Sequence, residues 1–214
     1  MATAMTFNSL IQDIRTYLER GGVSDTTVFA QIPSLIGLAE RAIARKLKVT
    51  GVLSVVTSNL VAGVGVYAKP DRWRKTTSME YGFGVAQSRQ PIFARSYEYC
   101  REYWPDPALR ADPEFYADYN YANWIIVPTP VSTVPWQIIY YQQPPLLDAA
   151  NQTNWLTDLA PAALLYRTMI ECELFLKNDG RVATWTPFYD EATAAIVVED
   201  LEKMTDRSSD RTGD

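Results

Sequence analysis

The chain has 214 residues, 47% apolar and 21% charged, with a formal net charge of −5 and no histidine. That length can bury a sizeable core in one large or two small domains, and no apolar run approaches the roughly 20 residues of a membrane span. Lack of histidine excludes the commonest general base, a Ser-His-Asp arrangement and most transition-metal chemistry, and an acidic balance with no evident basic face speaks against a nucleic-acid clamp. Cys100 and Cys172 lie in apolar, helix-like surroundings and read as reduced, packed thiols. No metal site or cofactor is expected. Met1 to Phe7 lacks a basic region followed by an apolar segment, so no secretory signal is expected.

A first helix is predicted from Thr6 to Arg20. Phe7, Leu10, Ile11, Ile14 and Leu18 keep one apolar face, and Gly21 and Gly22 end it. Asp25 or Thr26 begins a second helix, which Pro33 opens or kinks. Its stripe is Ile36, Ala39, Ile43 and Leu47, with Glu40, Arg41, Arg45 and Lys46 largely off it as a solvated face or subunit contact. After Lys48 the pattern changes. Val49 to Val66 is rich in valine, threonine and glycine and reads as a hairpin or paired short strands. Met79 to Gln90 reads as a hairpin tip or long loop. A short helix is predicted from Ser96 to Trp104, ended by Pro105 and Pro107. Phe115 to Val127 reads as two short strands with a turn near Asn120 or Asn123, stopped by Pro128 and Pro130. Trp136, Ile138 and Tyr140 alternate along a last strand.

From Asn154 onward the helical period returns. Asp158 or Thr157 can cap a helix whose first turn holds Pro161. Leu165, Met169, Cys172 and Leu176 form its stripe, widened by Leu164 and Phe175, and Gly180 is a plausible left-handed stop. A final helix is predicted from Pro187 to Met204, with Phe188, Ala192, Ala195 or Ile196, and Leu201 on its packed face. Thr205 to Asp214 has too little apolar area to order alone.

Half of the aromatic residues fall between Phe93 and Tyr141. The first reading is a small β-rich core, the second an interface, the third a sugar-binding platform. Glu98, Glu102, Asp106, Asp112, Glu114 and Asp118 supply acids there, as a glycosidase would need, but an acid-rich chain produces such groupings anyway. No phosphate-cradling or nucleophile-elbow motif is present. Arg72 and Arg74 flank Trp73 and read as a solvated strand edge before a nucleic-acid contact.

The segment Asn154, Trp155, Leu156, then Ala160, Pro161, Ala163, Leu164, Leu165 and Tyr166 resembles phage adaptor proteins, the head–tail connector subunits of tailed phages. Tyr67 to Trp73 and the Tyr99 to Pro105 wording match more loosely, and Lys69 and Arg72 depart from the family's pattern. The resemblance implies an α+β, mainly α fold: an N-terminal helical pair (1–48), an inserted β-rich domain with a short helix (49–145), a C-terminal helical pair completing the bundle (146–204) and a flexible tail (205–214). It also implies a non-enzymatic virion protein, made in the host cytoplasm and placed in the neck. Such a protein joins the portal, tail nozzle or fibre proteins and its own copies in a ring of about a dozen, through which genomic DNA passes without sequence-specific binding. Leu201, Met204, Arg207, Arg211 and Asp214 are then expected to dock on portal, and Tyr81 and Phe83 to face the tail. Other readings are a different neck or tail-tube protein, or a carbohydrate-binding module or acid-dependent hydrolase using the aromatic insert.

Overall fold

A computed structural model describes residues 4–20, 24–48, 50–82 and 88–205. The chain divides into two compact units, Met1–Val52 with Gln143–Asp214, and Leu53–Gln142. The class is α+β and mainly helical, with helices from both chain ends in one unit and small sheets in the other.

In the helical unit, α1 (Phe7–Leu18) starts at a reciprocal cap. The Thr6 hydroxyl accepts from Ser9 N at 3.1 Å, and Thr6 N donates to Ser9 Oγ at 2.8 Å. Phe7, Leu10, Ile14 and Leu18 are buried along one face. The helix ends earlier than the glycine pair predicts: Glu19 takes the left-handed conformation, φ 53°, and its N–H returns to the Thr16 carbonyl. Gly21 and Gly22 lie outside the described residues. The next helix, α2 (Thr26–Lys46), runs continuously through Pro33. That proline is exposed, so the carbonyl it leaves without a helical donor can be hydrated. Pro33 therefore does not open the helix.

The long apolar stretch near the C-terminus is two helices, α4 (Trp155–Leu159) and α5 (Pro161–Phe175), numbered after a helix in the insert. The cap belongs to Asn154, one turn earlier than predicted. Thr157 is its reciprocal partner, and Pro161 opens α5 without a side-chain cap. Buried residues occur on every side of α5, from Ala163 and Leu164 to Thr168, Met169, Ile170 and Cys172, so it is the central helix rather than a one-faced one. Leu165 and Leu176 are only half-buried, and Phe175 is exposed. Lys177, not Gly180, supplies the left-handed stop (φ 57°), with Asn178 N donating to the Glu173 carbonyl at 2.9 Å. Gly180 lies in the first turn of α6 (Asp179–Thr205), which carries Pro187 in its interior. The predicted start at Pro187 is thus two turns late. The packed face of α6 is Val182, Trp185, Tyr189, Ala192, Thr193 and Ile196, whereas Phe188 and Leu201 are exposed.

The insert holds β1 (Leu53–Leu60), β2 (Val66–Ala68), β3 (Trp73–Tyr81), β4 (Gln90–Pro91), β5 (Phe93–Ala94), α3 (Tyr97–Tyr103), β6 (Phe115–Asp118), β7 (Asn123–Val127) and β8 (Val134–Gln142). One sheet has the order β1-β8-β3-β4, the other β2-β7-β6-β5. β1 and β2 are not a hairpin. β1 pairs with β8 and β2 with β7, because the turn through Gly63 delivers the chain to the second sheet. The Tyr67 hydroxyl fixes that turn, accepting from Val61 N at 2.8 Å and donating to the Val64 carbonyl at 2.9 Å. Among the described strands, pairing is antiparallel except between β5 and β6.

Leu60, Met79, Tyr116, Trp124, Ile126, Trp136, Ile138 and Tyr140 form the insert's main core. Ala117, Ile125 and Val127 pack with Cys100 of α3 in a second cluster. β7 is therefore buried on both faces, which explains its unbroken apolar run. The Asn120 side chain makes the turn before it, accepting from Ala122 N at 2.9 Å and Asn123 N at 2.8 Å.

Candidate functional site

The adaptor-like segment returns the chain to the helical unit and pins it there. Asn154 Oδ1 accepts from Leu156 N and Thr157 N, capping α4. Its Nδ2 donates to Glu40 Oε1 at 2.7 Å and to the Pro145 carbonyl at 2.8 Å. Glu40 also accepts from Leu147 N at 3.1 Å. One carboxylate on α2 thus holds both ends of the return loop. The loop is tied to α1 as well, where Phe7 N donates to the Gln152 carbonyl at 2.8 Å. Trp155 lies against Gly51 so closely that a Cβ there would sit 2.1 Å from the indole nitrogen. Leu156 and Leu164 are core residues, Leu165 and Tyr166 are half-buried, and Tyr166 stacks on Trp185 at 6.1 Å.

Glu40 is 2% exposed, not on a solvated face. Burial pushes its carboxyl above the ordinary value, while the bonds from Leu147 and Asn154 and the Arg41 charge pull the other way. Its place was visible in the spacing: Ile36, Glu40, Ile43 and Leu47 are one helical stripe. A second buried acid, Glu173, is fully enclosed on α5. Arg181 Nε approaches its Oε1 at 3.2 Å, and Arg181 also donates to the Tyr17 carbonyl at 3.3 Å. These contacts join α1, α5 and α6. Burial pushes the Cys172 thiol up to about 12, with Glu173 and Glu171 adding to the effect. Neither cysteine is in a disulfide.

Of the residues expected at the portal, Leu201 and Met204 belong to α6. Leu201 is exposed and Met204 lies in the last helical turn, while Arg207, Arg211 and Asp214 lie outside the described residues. So does the disorder expected of the tail from Asp206 onward. Tyr81 closes β3 opposite Trp136 and Gln90 and is half-buried; Phe83 lies outside the described residues. Burial, then the nearby Asp112 and Glu114, pushes the Tyr81 hydroxyl up.

The insert shows a surface aromatic group that sequence reasoning placed only by region. Tyr99 and Tyr103 stack at 6.1 Å, both meet the edge of Phe115, and the Arg95 guanidinium lies 5.2 Å from the Phe115 ring centre. The six acids of this region are all exposed, so none of them forms an enclosed carboxyl pair. Several have structural partners: Glu114 accepts from the Tyr103 hydroxyl at 2.9 Å, Asp118 pairs with Lys69 at 2.7 Å, and Asp106 accepts from Ala108 N.

Lys69 also lies 3.8 Å over the Trp73 ring, so this basic segment clamps the insert's own turn. A cleft of ≈ 190 Å³ beside it, lined by Arg72, Trp73 and Tyr121, is smaller than the ~300 Å³ at which small-molecule pockets begin. Among the described residues no group of three His, Cys, Asp or Glu side chains could hold a metal ion.

No curated protein matches the chain. The model of the SU10 adaptor protein family matches residues 5–213, taking in both helical ends and the insert. With the mainly helical α+β fold and the capped Asn154 segment in place, that near-complete match shows that the chain belongs to the SU10 adaptor protein family, a family of phage structural proteins.

Proposed function

We propose that this protein is the portal-bound adaptor of the virion neck, a structural, non-catalytic subunit whose ring joins head to tail and extends the DNA channel. The observation that carries the reading is the family match along 5–213. The architecture supports it. One unit is closed by both chain ends and presents α6 running on toward the C-terminal residues, and the other presents an exposed aromatic group suited to a protein contact. In this role the segment Leu201 to Asp214 docks on portal, adding an ordered element at a partner groove. The insert faces the nozzle, through Tyr81 at the β3 end and through Phe83, two residues further along the sequence. Genomic DNA passes without sequence readout.

Two experiments test these assignments. Deleting 201–214 abolishes co-sedimentation with the cognate portal; docking by the truncated chain at unchanged affinity sinks the portal assignment. Replacing Tyr81 and Phe83 by alanine lowers nozzle attachment to portal–adaptor complexes. Unchanged attachment removes those residues from the tail contact.

A further inference from the structure

The helical unit leaves two outer faces of opposite charge. On α6, the side opposite its packed stripe carries Pro187, Glu191, Ala194, Val198 and Glu202, all exposed. Between Val182 and Glu202 this helix contains acids and no lysine or arginine. On α2, Gln31, Ser34, Leu38, Arg41 and Arg45 recur at three- and four-residue spacing and are all exposed. Glu40, the one acid of α2, is buried, so that face is purely basic. Leu38 is 49% exposed and Val198 53%, which gives each face an apolar centre beside its charges. Helix α5, buried on every side, packs against both α2 and α6. The two faces lie on different helices of one unit. Two different, complementary patches make a heterologous contact, the kind that closes into a ring by rotation.

We infer that the α6 outer face of one copy docks on the α2 outer face of the next, with Val198 and Ala194 against Leu38 and with Glu191 against Arg41 and Arg45. The inference rests on the ring reading above. It adds which surfaces form the ring and the like-charge repulsion that rejects α6–α6 or α2–α2 pairing. Asp190 is already held by Lys46 of its own chain at 2.8 Å and is not counted among the docking charges.

The test uses the full-length protein, alone at high concentration and with its cognate portal. A chain carrying Ser34→Cys and Ala194→Cys, treated with a long thiol–thiol cross-linker, gives a ladder of multiples; Cys100 and Cys172 are buried and stay silent. An equal mixture of the two single-cysteine chains gives mixed dimers, and neither alone cross-links to itself. Charge reversal sharpens the result. Arg41→Glu with Arg45→Glu removes the ladder, as does Glu191→Lys, and mixing the two reversed proteins restores it in alternating order. Self-linking by the Ala194→Cys chain overturns the inference. So does assembly of either reversed protein at the unaltered level. Portal binding without any ladder, alone or on portal, overturns the inference and leaves the adaptor reading intact. A ladder without portal binding supports the docking faces and removes the adaptor reading.

Discussion

The helical unit and the insert solve the same problem with different chemistry. The helical unit is assembled from two distant stretches of chain, and directional polar contacts fix where the second stretch returns. Glu40 holds Leu147 N and Asn154, and Arg181 bridges Glu173 and the end of α1. The insert is one continuous stretch and relies on strand pairing and aromatic packing, with Trp124 edge-on to both Trp73 and Trp136 at 6.1 Å. Closing a fold from both ends needs specific anchors against slippage; closing it locally needs bulk.

The largest effect is expected in the insert. Trp124→Ala removes a fully buried indole and costs about 3–5 kcal/mol. Hydrogen exchange on the variant loses protection in β6, β7 and β8 while α2 and α5 keep theirs. Loss in both units alike would break the comparison.

Next come the anchors. Glu40→Ala leaves Leu147 N and Asn154 Nδ2 without their acceptor and costs about 2–4 kcal/mol, read from denaturant midpoints. Glu40→Gln retains an acceptor oxygen and costs less. The pair also sets a pH test. Because burial raises the folded-state pKa of Glu40 above the ordinary 4.5, the native state binds this proton more tightly than the unfolded state. The stability this gives is complete below 4.5 and is lost as pH rises through the folded value. From about pH 4 to about pH 7, wild-type protein therefore loses stability relative to Glu40→Gln. A constant difference contradicts the account.

Gly51→Ala places a methyl against the Trp155 indole and costs about 1–3 kcal/mol, visible as a lower Tm with a changed tryptophan emission. The smallest effect is a gain. Lys177 adopts φ 57° at the end of α5, where glycine pays no Cβ penalty, so Lys177→Gly stabilises by about 0.5–1 kcal/mol in the same melts.

Much of this was legible in the sequence. Helical periodicity gave α1 and the apolar body of α2, the alternation Trp136, Ile138, Tyr140 gave β8, and Ser96 and Trp104 bracketed α3. The misreadings share a cause: punctuation residues were weighted above tertiary context. Pro33 and Pro187 lie inside helices because their solvent-facing backbone tolerates the lost bond. Gly180 stops nothing, since Lys177 accepts the left-handed turn first. Charge on α2 reads as a sign of solvent, which misplaces Glu40 although it falls on the buried stripe, and Glu173 lies on a helix buried on every side, where no stripe marks it. The assignment of β1 and β2 to different sheets depends on partners far along the chain, which local pattern does not encode.

The most direct test of the central claim is mass photometry of the purified protein, alone and with its cognate portal. A portal-bound species heavier by about a dozen copies is the predicted result, as a closed rotational ring requires. A lasting absence of association at micromolar concentration would contradict the account.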